Sequence, residues 1–154
     1  MFPHFAEAVR RETPLLHALS EPLVSAARPS RTWTRKEELG HLIDSAANNH
    51  IRFARGAFEA EFHGPSYLPD AWVSAHGYQK RNWSELVAFW SQYNLFLGQL
   101  VQGIPYPQLN VICHVAKSPP VTLRFLVEDY IIHMQHHVDQ ILDRPNPTPY
   151  PQES

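Results

Sequence analysis

Asp129-Tyr130-Ile131-Ile132-His133-Met134-Gln135-His136-His137-Val138-Asp139-Gln140-Ile141, near the end of the 154-residue chain, is the stretch whose reading decides the fold. As a helix it sets His133 and His137 four residues apart, so both imidazoles leave one face, with Leu126 and Gln140 on the same line. A single helix often supplies two metal ligands in this way, because a divalent ion needs its nitrogen donors to converge at about 2.0–2.1 Å. A histidine-rich surface helix would show the same spacing. Leu123, Val127, Tyr130, Met134, Val138 and Ile141 form the apolar arc of this helix, which runs from Leu123 to about Leu142 with Thr122 as N-cap. His133 and His137 lie at the edge of that arc, which predicts partial burial.

Working back toward the N-terminus, Leu109 to Val121 is irregular, and Val111-Ile112-Cys113 reads as a short extended piece with no obvious partner strand. Before it, Asn82-Trp83-Ser84-Glu85 reads as a capping box that opens a helix to about Gln102, with Gly103 as its stop. Its apolar stripe is Leu86, Phe89, Trp90, Tyr93, Phe96, Leu97 and Leu100, and Asn94 is the polar exception. Residues 63–81 are broken by Gly64-Pro65, Pro69 and Gly77 and carry Tyr67, Trp72 and Tyr78; they are read either as a lid or as a cluster covering one end of the protein.

Thr34-Arg35-Lys36-Glu37 is a further capping box, starting a long helix to about Glu61. Leu39, Leu42, Ala46 and Phe53 share one arc of it, beside a polar stripe of His41, Asp44, Ser45, Asn48 and Arg52. Phe5 to about Leu19 has the spacing of another helix, either kinked at Pro14 or starting at Thr13 with Pro14 in its first turn. Four helices with long connections and no convincing strands predict an all-α four-helix bundle over residues 1–143. The Pro-rich tail, 144–154, is expected to be poorly ordered.

A 44% hydrophobic content in a chain of this length supports one domain with its own core. Thirteen basic residues against 15 acidic ones leave no electrostatic footprint of a nucleic-acid binder. Cys113 is the sole cysteine, so an intrachain disulfide and a Cys₄ zinc site are both excluded, and a reducing cytoplasm is the expected compartment. With no signal-like N-terminus and no run of 18 apolar residues, a soluble, uncleaved chain without membrane attachment is expected.

Ten histidines raise the question of where a third donor would come from. His41 is the best placed, at the head of the polar stripe, and meets the other two if its helix packs beside the last. His114 and His50 are weaker candidates. His50 faces away from His41, and His136 is rotated off the line of His133 and His137.

Trp33-Thr34-Arg35-Lys36-Glu37-Glu38-Leu39-Gly40-His41-Leu42-Ile43-Asp44-Ser45 resembles the W-S-x-K-E-x-x-G-H-L-x-D-S segment of the DinB/YfiT-like superfamily, and the last helix is similar to that family's H-x-x-H-H-x-x-Q-I segment. Trp83 to Asn94 resembles its third helix, so the likeness spans about Thr13 to Asp143. Ala46 stands where the YfiT-like branch commonly has His, which argues against a close link to that branch. The resemblance implies up-down-down-up connectivity, a homodimer, and one divalent metal ion held by His41, His133 and His137, its identity open among Zn, Ni, Fe and Mn. It also implies thiol S-transferase chemistry with a low-molecular-weight thiol such as bacillithiol or mycothiol, or metal-dependent hydrolysis. Asp44 or Gln140 is expected to orient a ligand imidazole, and Asn48 and Arg52 to bind an anionic co-substrate. The competing expectation is a non-catalytic, metal-stabilised binding or dimerisation module.

Overall fold

Local capping chemistry starts each long helix where the sequence offers it. In this computed structural model, which describes residues 2–151, the Thr34 hydroxyl accepts from the Glu37 amide and the Glu37 carboxylate accepts from the Thr34 amide. Asn82 accepts from the Glu85 amide at 3.1 Å, so only the Asn82 half of the expected box is made there. Thr122 accepts from the Phe125 amide at 3.1 Å. These caps open α3 (Arg35–Gly56), α5 (Trp83–Gln102) and α6 (Leu123–Ile141). Helix α1 (Pro3–His17) starts well before Thr13, with Pro3 in its first turn, and passes through Pro14. Pro14 has no N–H to give; next to it, the Thr13 hydroxyl donates to the Val9 carbonyl at 2.6 Å. Two short helices, α2 (Glu21–Ser25) and α4 (Pro69–His76), lie in the connections, and α3 stops at Gly56, short of the expected Glu61.

The protein is a four-helix bundle of α1, α3, α5 and α6, in which α3 packs against both α5 and α6, and α1 packs against the same two. Its core includes Phe5, Phe53, Trp83, Trp90, Leu97 and Met134, all essentially inaccessible. Tyr130 meets Phe5 and Phe53 edge-on, and its hydroxyl donates to Asn94, whose amide in turn donates to the Trp90 carbonyl. Asn94, the polar exception on α5, is therefore a core residue that satisfies a buried phenol.

One expectation is corrected. The two long connections carry a small sheet of β1 (Phe62–Gly64), β2 (Ile112–Val115) and β3 (Val121–Thr122) in that order, β1 parallel to β2 and β2 antiparallel to β3. The extended piece at Ile112-Cys113 has its partners after all, in Phe62 and Thr122 among others. Strands of two to four residues are too short for a period-two pattern to stand out, and β1 lies some fifty positions from β2 in the chain.

A second correction concerns the tail. Arg144 pairs with the fully buried Glu12 of α1 at 2.6 Å and with Asp139 of α6 at 2.6 Å. The Thr148 amide and hydroxyl both donate to Asp139, each at 2.7 Å, and His136 donates to the Thr148 carbonyl. Residues 144–151 are thus fastened across α6; residues 152–154, also expected to be disordered, lie outside the described residues.

Candidate metal centre

Two arginines fix α6 against α3. The last turn of α6 leaves carbonyls without helical partners, and cationic side chains near a helix C-terminus can take them. Arg28 donates to the Gln140 carbonyl at 2.7 Å and Arg35 to the Ile141 carbonyl at 2.9 Å, so the end of α6 is held to the start of α3. That junction is where His41 on α3 faces His133 and His137 on α6.

The three imidazoles converge. His41 Nε2 is 3.2 Å from His133 Nε2, and ring centroids are separated by 5.1 Å (His41–His133), 4.8 Å (His41–His137) and 4.6 Å (His133–His137). One ligating nitrogen from each residue lies within 4.8 Å of the others. Two nitrogens about 2.1 Å from an ion at a tetrahedral angle stand about 3.4 Å apart, close to the observed pair. The His137 Nδ1 donates to Glu38 at 3.1 Å, which leaves its Nε2 buried with no hydrogen-bond partner among the described residues. A buried imidazole nitrogen without a partner is disfavoured unless something electrophilic meets it, so these residues fit a metal ion.

Electrostatics prepare the same donors. Burial, with a further push from His137, lowers the His41 pKa to about 3. Burial and the neighbouring imidazoles of His137, His41 and His136 lower that of His133 to about 2. Both are therefore neutral at pH 7 and carry lone pairs, the form a metal requires. Glu38 is 3% exposed and paired with Arg28 at 2.5 Å, so an Arg28–Glu38–His137 chain sets the tautomer and ring angle of His137. Trp33 lies over His41 at 4.8 Å between ring centroids.

The other predicted site residues are placed as follows. Asp44 is 1% exposed and accepts from the Tyr78 hydroxyl at 2.6 Å, with His76 at 2.9 Å; burial raises its pKa, and the bonds from Tyr78 and His76 oppose that rise. Tyr78 reaches Asp44 by lying flat on α3 where Gly40 has no side chain: a Cβ there would sit 2.0 Å from the ring. Gln140 lines a cavity of about 310 Å³ with Trp33, Glu38 and His137, and its carbonyl holds Arg28. The Asn48 amide donates to the Asp44 carbonyl at 2.9 Å. Arg52 lines a second cavity, of about 320 Å³, with His133, Tyr67, Phe125, Asp129 and Tyr150; its guanidinium donates to the Pro65 carbonyl at 3.1 Å and to Asn49 at 3.3 Å. The cluster therefore sits between two cavities, with His133 on one and His137 on the other. A larger cleft, about 620 Å³ between α1 and α5, includes no histidine or cysteine in its lining.

His50 bonds Tyr93 and His136 bonds the tail, so neither joins the cluster; His114 lies on β2. Cys113 is buried and its thiol is pushed up to about 11 by that burial, which makes it a poor nucleophile. Sequence reasoning missed Glu38, although its position three residues before His41 put it on the same helical face. It also missed Tyr150, whose ring meets His133, His136 and His137 edge-on at 5.6, 5.1 and 6.0 Å; no local pattern announces that contact.

Residues 4–141 match the DinB superfamily. The chain belongs to that superfamily. Among solved structures, this DinB-superfamily bundle is similar to YfiT from Bacillus subtilis, with a TM-score of 0.78 and 20% identity over 91% of this chain and 81% of that one. YfiT is described as a probable metal-dependent hydrolase with an unusual four-helix bundle topology. At that identity the likeness establishes a shared fold. No curated protein sequence matches this DinB-superfamily chain. No helix among its described residues is long and apolar enough to cross a membrane.

Proposed function

We propose that the chain is a metal-dependent enzyme, with His41, His133 and His137 as the ligands of one divalent ion, acting as a thiol S-transferase or a hydrolase. The observation that carries this reading is the buried His137 Nε2, without a hydrogen-bond partner among the described residues and grouped with the imidazoles of His41 and His133, while its Nδ1 is tied to Glu38. Three nitrogen donors leave coordination positions for a substrate, the pattern of catalytic sites as opposed to closed structural ones. A divalent ion there supplies Lewis acidity, which makes a thiol or a water nucleophilic at neutral pH.

The chain's own residues supply the rest. Glu38 holds His137 in one orientation through Nδ1, and Arg28 pairs with Glu38 from the other side at 2.5 Å. Phe125, Leu126 and Val121 give the cavity beside His133 apolar walls, and Arg52, Tyr67 and Asp129 add a guanidinium, a phenol and a carboxylate to its lining. That combination suits a small substrate with an apolar body and polar groups of both charge signs, such as a low-molecular-weight thiol or its conjugate. A homodimer is part of the reading, supported by Phe89 and Phe96, which are 54% and 56% exposed on α5.

Elemental analysis of untagged protein, dialysed against a weak chelator to clear surface sites, tests the ligand set. One divalent ion per chain is expected, and its loss in His137→Ala; full occupancy in that variant overturns the assignment. Thermal unfolding with and without a strong chelator tests the enzyme reading against a metal-stabilised binding module: a small change in midpoint is expected, and a collapse of the fold on chelation favours the module.

A further inference from the structure

A second group of metal-ligand side chains lies outside the helical cluster. In the parallel pair β1–β2, His63 is the register partner of His114, so the two side chains leave the same face of the sheet. Their rings are stacked, 4.3 Å between centroids and 7° from parallel. Both Nε2 atoms address a single carboxylate oxygen, Oε1 of Glu61: His114 in hydrogen-bond contact and His63 at 3.6 Å. One donor atom from each of the three residues lies within 4.8 Å of the others.

We propose that Glu61, His63 and His114 form a second metal site, for a divalent late first-row ion such as Zn²⁺. Two imidazole nitrogens and one carboxylate oxygen are a zinc-type donor set, and imidazole disfavours the oxygen-seeking Mg²⁺ and Ca²⁺. The register of the sheet fixes both histidine backbones, so only side-chain torsions remain to be set on binding. Those torsions are free to adjust because the side chains are accessible, 65% for His63, 52% for Glu61 and 29% for His114. The nearby Arg55 is occupied with Glu59 and with the His63 carbonyl. An ion held there would pin the connection leaving α3 to the one entering α6. Val115, which follows His114, and Ser66, which follows β1 by two positions, line the cavity next to His133, so the pin would stiffen one wall of it.

The test is Zn²⁺ titration of the untagged, chelator-stripped full chain by calorimetry, alongside His137→Ala, His63→Ala/His114→Ala and Glu61→Gln. Two equivalents are expected for the wild type, with the second in the micromolar range. His137→Ala should keep the weaker equivalent, and His63→Ala/His114→Ala should keep only the tighter one. Glu61→Gln, a change at an exposed position, should weaken the second equivalent about tenfold, since a neutral amide takes the place of a carboxylate ligand. A wild type that binds one equivalent, a second equivalent that appears only at millimolar Zn²⁺, one that survives the double histidine variant, or an unchanged titration of Glu61→Gln would each overturn the proposal. Because the two sites are removed by different variants, failure here leaves the buried cluster's assignment untouched.

Discussion

Two groups of imidazoles in this protein share donor chemistry and differ in almost everything else. His41 and His137 are 4% and 9% exposed, project from packed helices and meet His133, where burial holds the His41 and His133 pKa values down. His63 and His114 stand on short strands with their rings stacked on each other, partly open to solvent, and lean on one carboxylate. The expectation this contrast sets is that preorganisation, more than donor identity, governs how tightly each group would hold an ion. In the helical group the side-chain entropy is already spent in folding, and the spare nitrogen of His137 is locked by Glu38 and Arg28. On the sheet the ordering of three side chains remains to be paid when a ligand arrives.

The strongest way to break this comparison is His133→Ala. Its buried site should lose Zn²⁺ affinity by about 100-fold or more, in proportion to the roughly 10–16 kcal/mol that a full set of four ligands supplies. Competition with a chromophoric chelator measures this, and equal losses at the sheet site would erase the distinction between the two groups. Next in size is Glu38→Gln, which keeps the shape of the side chain and removes its charge. A loss of about 10–100-fold at the buried site alone is expected; an unchanged affinity would mean that His137 needs no orienting partner.

A smaller effect is expected from Tyr150→Ala. An aromatic contact worth about 0.5–1.5 kcal/mol corresponds to metal release that is about 2- to 12-fold faster in a stopped-flow chelation experiment. The sheet site should exchange at its wild-type rate, since Tyr150 packs on His133, His136 and His137. If release at both sites quickens equally, the tail acts on the fold as a whole and not on the cluster.

Much of the helical group was legible. His133 and His137 are four apart on a helix whose cap at Thr122 can be read directly, and His41 heads a polar stripe behind the Thr34–Glu37 box. Glu38 shares that face, three residues before His41, while Asp44 or Gln140 is the residue expected from the sequence to take the orienting role. The structure gives Asp44 to Tyr78 and His76 instead, through the space that Gly40 leaves on α3. The sheet group was not legible: Glu61 stood at the expected end of a helix that stops at Gly56, His63 opened the broken 63–81 segment, and His114 lay in a segment with no visible partner. Nor did the prolines after Arg144 suggest that the tail would be fastened by Asp139.

By itself the sequence determined what depends on residues within a turn or two of each other. The caps at Thr34, Asn82 and Thr122, the apolar faces of the bundle and the pairing of His133 with His137 all follow from spacing at three or four residues. Only the tertiary structure decided which helix ends are tied together by Arg28 and Arg35, which strands pair, and which ring closes over the cluster. Those contacts join separate elements, up to 112 positions apart for Arg28 and Gln140, and their partners are selected by the packing of whole helices, a choice that no local pattern of side chains encodes.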